Sequence, residues 1–265
     1  GREGKPKAAQ DNVREAKEAL KKVFVLHPKS RLRLQAAYAM ADYQATLGAV
    51  DKSRAAYKWI VENGLQWARN WRDADGKPAP ELVKKAEAFG VDSLFRLGES
   101  YYPDADPGQA ASYYKLVVER HPDTQQAGMA RLRLGEMAET RNDLAAAAGH
   151  YEAVLGRNEQ GVAFKNALFR LGVLQLARAQ EDAASKGRTA LLTEARGHLD
   201  RFLKAYARDA LAAKARYYRA EALYAVGEKK KALQDYESAY AARKGQVTAS
   251  TGAAGEDWLD NLVFG

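Results

Sequence analysis

Few residues of this chain have the types and spacing that catalysis or metal binding would need. The 265 residues include no cysteine, which excludes disulfides, thiolate metal sites and a cysteine nucleophile. The histidines are His27, His121, His150 and His198, and none belongs to a His-x-x-x-His or Glu-x-x-His pair typical of a helical metal site. No nucleophile elbow and no phosphate-binding glycine loop occurs. We therefore predict no enzyme activity, no metal and no cofactor.

Three arginines form a regular ladder that could bind anions. Arg96, Arg133 and Arg170, called here the arginine ladder, recur every 37 residues. A glutamate follows each of the first two by three residues, a spacing that favours local ion pairs on a helix. Val173 stands at that place after Arg170, so we expect Arg170 to lack a partner. Local pairing is the simpler interpretation of the ladder as a whole.

The overall charge admits a polyanionic partner without requiring one. The net charge is +8 and the pI is near 9.4, values compatible with RNA or an anionic envelope polymer as ligand. The basic residues are dispersed, however, with their densest runs at residues 1–7 and 229–231. No apolar run approaches the roughly 18–20 residues that a membrane helix needs. We therefore predict no membrane span, and we consider nucleic acid an unlikely partner.

The 37-residue interval extends beyond the arginines. The triplet Arg-Leu-Gly occurs at 96–98, 133–135 and 170–172, while Tyr114 recurs as Tyr151. Other positions continue in phase, with longer insertions at about 61–90 and 177–194. They define about five units after an N-terminal half-unit at 11–30. A fixed period of 20 to 50 residues indicates a solenoid of stacked units.

Each unit predicts two helices. The chain is rich in alanine, leucine, arginine, lysine and glutamate and has only 7 prolines, so helix formers prevail. In residues 91–124, apolar residues at helical spacing flank the breaker PDADPG. Asp106 is a candidate N-cap, Pro107 suits the first helical position, and His121 before Pro122 should end the second helix.

The unit resembles a tetratricopeptide repeat. Leu97, Gly98 and Tyr101 in its first helix, and Ala110 and Tyr114 in its second, stand at the offsets of that family. The resemblance covers residues 11 to about 243. It implies an all-α fold, a right-handed superhelical solenoid of stacked antiparallel helix pairs.

The long insertions resemble, more loosely, those of bacterial envelope repeat proteins. The outer-membrane assembly lipoproteins and the Tol-associated periplasmic proteins are of this type. This likeness implies a periplasmic or envelope-associated location, with the cytoplasm as the alternative. It also suggests a piece of a larger envelope protein or complex.

The family resemblance implies a partner-binding groove lined by the first helices. The residues at the exposed offsets combine aromatic rings with carboxylates, and the alignment of the last unit is open by one residue. We expect some of the rings to pack between units instead. The candidate groove residues are Tyr38, Asp42, Asp92, Phe95, Glu99, Tyr102, Glu136, Glu139, Phe169, Tyr217, Glu221 and Tyr224.

Together these features predict a non-catalytic scaffold that binds a protein or peptide segment, not a small molecule. A polyanion-binding helical repeat is the alternative. We expect a flexible basic start at 1–10, the repeat array at 11–243, and a linker with an apolar tail at 244–265. Within 256–265, Trp258, Leu259 and Leu262 fall at helical spacing. This tail is expected either to cap the last helix or to dock on another molecule, including a second copy.

Overall fold

The computed structural model describes residues 7–157, 161–181 and 187–249, and helices are the regular elements throughout these ranges. Within them no strand is present, apart from an isolated bridge between Arg72 and Pro78. No helix among these residues is long and apolar enough to span a bilayer. The helices are α1 Lys7–Leu26, α2 Arg33–Thr46, α3 Val50–Trp59, a π-helical segment Ile60–Gly64, α4 Leu65–Asn70, α5 Pro80–Tyr101, α6 Pro107–Arg120, α7 Gln125–Thr140, α8 Leu144–Leu155, α9 Val162–Glu181, α10 Arg188–Ala205, α11 Ala212–Ala225 and α12 Lys229–Ala249.

The chain divides into two compact units, residues 1–130 and 131–265. In the N-terminal unit α1 packs on α2, α2 on α3 and α5 on α6. In the C-terminal unit α8 packs on α9, α9 on α10, α10 on α11 and α11 on α12. Helix α9 also contacts α11, so the first helices of successive pairs lie side by side. The predicted all-α architecture of consecutive helix pairs is confirmed.

The turns inside four of the helix pairs repeat the same backbone hydrogen bond. The amide of Ala49, Asp106, Asp143 or Glu228 donates to a carbonyl five residues earlier, which closes the end of the first helix. Three of these turns include a residue with positive φ: Gly48 at 71°, Asn142 at 57° and Gly227 at 86°. Glycine and asparagine tolerate that left-handed conformation better than other residues. The sequence thus encodes the same reversal of chain direction between paired helices in several units.

The helices of a pair approach each other at a glycine. A β-carbon at Gly98 would lie 2.5 Å from the Tyr114 ring, and one at Gly135 would lie 2.4 Å from the Tyr151 ring. In the next pair, a β-carbon at Gly172 would lie 2.7 Å from Leu199. The large residue of the second helix therefore occupies the space that the glycine leaves. This contact explains why the glycine of Arg-Leu-Gly recurs with the repeat.

The predicted helix ends of residues 91–124 are confirmed. The Asp106 side chain accepts a hydrogen bond from the Gln109 amide, Pro107 opens α6, and His121 is its C-cap. Helix α5 begins at Pro80, within the first insertion. In that insertion the Trp67 and Trp71 indole N–H groups donate to the carbonyls of Pro28 and Lys29 at 3.0 and 2.7 Å. The two tryptophans therefore fasten the insertion to the turn between α1 and α2.

Two element boundaries differ from those expected from the sequence. Helix α1 begins at Lys7, inside the segment 1–10 that was expected to be flexible, because residues 7–10 are good helix formers. Helix α12 continues to Ala249, so residues 244–249 are helical rather than part of a linker. One glycine at 245 weakens a helix without ending it. The apolar tail 256–265 lies outside the described residues.

Candidate functional site

Three of the predicted groove carboxylates accept a hydrogen bond from a tyrosine of their own helix pair. The tyrosine follows the carboxylate by 15 residues each time. The pairs are Tyr57 with Asp42 at 2.6 Å, Tyr114 with Glu99 at 2.5 Å, and Tyr236 with Glu221 at 2.5 Å. Burial raises the pKa of Tyr57 and Tyr236, so both hydroxyls stay protonated and continue to donate. These carboxylates therefore join the two helices of a pair.

Asp92 is likewise engaged within the N-terminal unit. It accepts hydrogen bonds from the Tyr38 hydroxyl and from Gln126 Nε2, the latter at 3.1 Å. Arg96 follows Asp92 by one helical turn, and its Nε lies 3.4 Å from the Asp92 carboxylate. Arg96 therefore pairs with a carboxylate of its own helix, as expected for local ion pairing. Burial and the hydrogen bond to Asp92 raise the pKa of Tyr38.

Arg170 has two partners, so the prediction that it lacks one was wrong. Its guanidinium lies 3.0 Å from Glu136 and 2.8 Å from Glu139, both on α7. Arg133 pairs with Glu136 at 2.9 Å, as the three-residue spacing predicted. The three-residue spacing concerns partners on the same helix only, whereas Arg170 reaches the preceding first helix, α7.

The predicted groove aromatics differ widely in exposure. Tyr224 is 57% exposed and lies 5.9 Å from the Lys229 ammonium, whereas Tyr217 is only 9% exposed and packs against Tyr236. The rings of Phe95 and Tyr102 both contact Tyr114, with centroids 5.8 and 6.4 Å from its ring. These two residues are half-buried and belong partly to the core of their own pair.

The remaining two aromatics are also half-buried. Tyr38 stacks on Phe89 at 4.6 Å. Phe169 contacts Phe202 of its own pair at 5.7 Å and Tyr218 of α11 at 6.1 Å. Phe169 therefore bridges two successive helix pairs.

A depression of about 340 Å³ lies across α7, α9 and α11 in the C-terminal unit. Its apolar lining includes Phe169, Val173, Ala177 and Tyr218, all half-buried. We call these four residues the first-helix surface. Glu139, Arg170 and Lys214 also line the depression and supply its charged groups.

Two of the twelve predicted groove residues, Glu139 and Phe169, thus line this depression. Tyr217, which the repeat offsets predict for this surface, packs instead against Tyr236 of its own helix pair, and Tyr218 lines the depression. By the 48-residue interval that separates Tyr151 from Leu199, Phe169 corresponds to Tyr217 and Arg170 corresponds to Tyr218. The repeat offsets alone therefore give no signal for Tyr218 at this surface.

Among the described residues, no group of histidine, aspartate and glutamate side chains could hold a metal ion. The half-buried His198 has its pKa lowered by burial and by the nearby charge of Arg201. The depression in the C-terminal unit contains neither a histidine nor a paired acid and base. Its chemistry is that of an apolar contact surface with ion pairs beside it.

Residues 95–163 match the tetratricopeptide repeat family. The match covers about a quarter of the chain and includes α7 and α8 completely. A comparison with curated proteins gives no match. The repeat match supports a protein-interaction scaffold in general terms.

Solved structures share the fold at low sequence identity. The chain is similar to the MamA protein, with a TM-score of 0.54 and 15% identity over 86% of this chain and 100% of that one. It is also similar to BtubC (BKLC) from P. vanneervenii, with a TM-score of 0.58 and 15% identity over 93% and 95% of the two chains. Both are solenoids of the tetratricopeptide type, which agrees with the fold expected from the sequence.

The ion pairs of Arg170 predict a pH-dependent stability. Burial raises the pKa of Glu139, and the charge of Arg170 opposes part of that rise. In Arg170→Met the pKa of Glu139 should rise further above its unfolded value. The variant should therefore lose on the order of 1–2 kcal/mol at pH 7.5, with Arg170 partly solvent-screened.

The direction of the change in stability with pH follows from proton linkage. A carboxyl whose pKa is higher in the folded state binds more protons there, so stability falls as pH rises toward the folded pKa. Below the unfolded pKa of Glu139 the carboxyl is neutral in both states, and the penalty disappears. Urea unfolding at pH 4 and pH 7.5 should show a smaller difference between Arg170→Met and the parent at pH 4. An equal difference at both values would contradict the ion-pair role.

Proposed function

We propose that this chain is a non-catalytic protein-interaction scaffold that binds a protein segment on its first-helix surface. The observation that carries the proposal is the depression across α7, α9 and α11 with Phe169, Val173 and Tyr218 in its lining. Three successive first helices contribute to it, as expected for a repeat protein whose stacked units form an extended contact surface.

The chemistry of the surface favours an apolar anchor. A volume of about 340 Å³ is at the lower end of the roughly 300–1,000 Å³ typical of small-molecule pockets. It suits one or two large side chains of a peptide. Half-buried aromatic rings provide contact area with little loss of side-chain entropy, because they are already packed.

Charged groups of the bound peptide would then contact the protein mainly at the edge of the depression. Glu139 and Arg170 are paired with each other, and Lys214 lies beside Tyr218. Groove carboxylates could in principle select basic groups of a partner. Because several of those carboxylates already accept hydrogen bonds from tyrosine or arginine, we propose that apolar side chains contribute most of the affinity and edge charges contribute orientation.

The alternative of polyanion binding receives less support. Each member of the arginine ladder is within ion-pair distance of a carboxylate, so phosphate groups would have to displace those partners. Phosphate binding also weakens steeply as salt rises, by counterion release.

An envelope-associated or periplasmic location, and membership of a larger complex, stay predictions that rest on the looser likeness of the insertions.

The proposal can be tested by selecting peptides from a random library on the purified chain and measuring their affinity. Val173→Arg places a charge in the depression and should weaken the selected peptides at least tenfold, about 1.4 kcal/mol. Ala153→Arg adds the same charge to an exposed position of α8 and serves as the matched control. The control should bind as the parent does.

Two results would contradict the proposal. Equal binding by the parent and Val173→Arg would place the contact elsewhere on the chain. Selected ligands that are strongly acidic and that lose affinity a hundredfold between about 50 and 200 mM salt would favour the polyanion alternative. Circular dichroism of both variants would verify that the helices are intact.

A further inference from the structure

The outer face of α12 exposes large apolar side chains. Leu233 and Tyr240 lie seven residues apart on this helix and are 58% and 50% exposed. Glu237 lies between them and is also exposed. Since a spacing of seven residues returns to one side of a helix, the three residues form one strip, which we call the α12 strip.

The corresponding positions of earlier second helices are covered. By the intervals of the repeat, 48 and 37 residues, Tyr240 corresponds to Leu203 in α10 and to Leu155 in α8. Leu203 is only 9% exposed and packs in one cluster with Ala212 and Ala215 of α11. Leu155 packs against that same cluster, to which Phe164 of α9 also belongs. In both cases the next first helix supplies the cover.

Within the described residues no helix follows α12. The α12 strip is therefore a surface of the kind that the repeat normally covers with an apolar helix. The chain contains a segment of matching composition beyond Ala249, since residues 256–265 read EDWLDNLVFG. Trp258, Leu259 and Leu262 fall at helical spacing in it.

We propose that residues 256–265 dock on the α12 strip of the same chain. They would cover α12 as the first helix of a following pair covers each earlier second helix. This contact is separate from the first-helix surface, so it does not depend on the function proposed above. Charge complementarity supports the assignment. The described part of α12 exposes Lys229, Lys230, Lys231 and Lys244 against one exposed glutamate. The docking segment carries three acidic residues and no basic one.

The length of the connection permits docking within one chain. Seven residue steps separate Ala249 from Glu256, and an extended chain spans about 3.3–3.6 Å per residue, so the reach is about 25 Å. Tyr240 lies nine residues before Ala249 along the helix, about 14 Å at 1.5 Å per residue. The segment can therefore return to Tyr240 without a second molecule.

Disulfide trapping tests this contact directly, because the chain has no cysteine of its own. Glu237→Cys combined with Asn261→Cys places one thiol in the α12 strip and one in the docking segment, and leaves Leu233, Tyr240 and Trp258 in place. Under mild oxidation at low protein concentration, most of the protein should form a disulfide within one chain. Non-reducing electrophoresis and intact mass would identify it.

Matched controls make the result decisive. Ala153→Cys with Asn261→Cys places the first thiol on the exposed face of α8 and should give several-fold less of the intrachain product. Adding Trp258→Ala to the test pair should lower its yield several-fold, because the anchor is lost. A yield no greater than in the control, or unchanged by Trp258→Ala, would overturn the proposal. A disulfide-linked dimer as the main product would overturn it in favour of docking on a second copy.

Discussion

Substitution of Gly98 by alanine is expected to lower the free energy of unfolding by about 1–3 kcal/mol, as overpacking of a well-packed core does. The added β-carbon would lie 2.5 Å from the Tyr114 ring, closer than such contacts allow. Tyr114 is fully buried, and its hydroxyl donates to Glu99 at 2.5 Å. The ring is therefore held at both its edge and its hydroxyl, so α5 and α6 must move apart instead.

The matched control is Gly149→Ala in α8. Apart from its chain neighbours and the backbone of its own helix, no atom lies within 4 Å of a β-carbon built at Gly149, so alanine there should only favour the helix. We expect a gain of about 0.5–1 kcal/mol from the reduced freedom of the unfolded chain. Chemical denaturation of the three proteins would give both values. If Gly98→Ala were as stable as Gly149→Ala, the proposed contact between the two helices of a pair would be incorrect.

Deletion of residues 1–30 is expected to lower the melting temperature by about 10 °C or to cause aggregation. The estimate corresponds to several kcal/mol, at about 2–4 °C per kcal/mol for chains of 150–250 residues. Helix α1 covers α2, and Phe24 packs edge-on against Trp59 with ring centroids 4.8 Å apart. Its removal would uncover the end of the N-terminal unit, which repeat proteins tolerate poorly.

The same deletion also removes hydrogen-bond acceptors. The Trp67 and Trp71 indole groups donate to carbonyls of Pro28 and Lys29, and Arg33 donates to the carbonyl of Phe24 at 3.3 Å. Deletion of residues 1–6 alone removes none of these contacts and is the control. Differential scanning calorimetry would compare the two. A melting temperature unchanged by the longer deletion would show that α1 contributes no stabilising cover.

Much of the fold could be predicted because the same local interactions recur in several repeat units. Gly98, Gly135 and Gly172 mark the close approach of paired helices, and each shows the same steric contact with a residue of the second helix. The Asp106 cap and the Pro107 start follow from backbone hydrogen bonding that any helix end must satisfy. These features depend on short segments, so one sequence suffices to recognise them.

The side-chain pairing in the candidate site depended on distant neighbours and was harder to predict. Val173 follows Arg170 at the spacing of a local ion pair, so the sequence predicts no partner on the same helix, yet Glu136 and Glu139 of another helix pair with it. Tyr217 and Tyr218 are adjacent in sequence, and a rotation of α11 decides which one joins the first-helix surface. Such choices follow from how helices pack, and the periodicity of one segment does not contain that information.

Site-specific photo-crosslinking tests the interaction scaffold most directly. A photoreactive amino acid at Val173 would lie in the depression, while the same residue at Ala153 would lie on the exposed face of α8. With a peptide selected on the parent chain, irradiation should give a crosslinked product at Val173 in at least tenfold excess over Ala153, and unlabelled peptide should suppress it. Equal crosslinking at the two positions, or none at Val173 while the peptide still binds, would contradict binding at the first-helix surface.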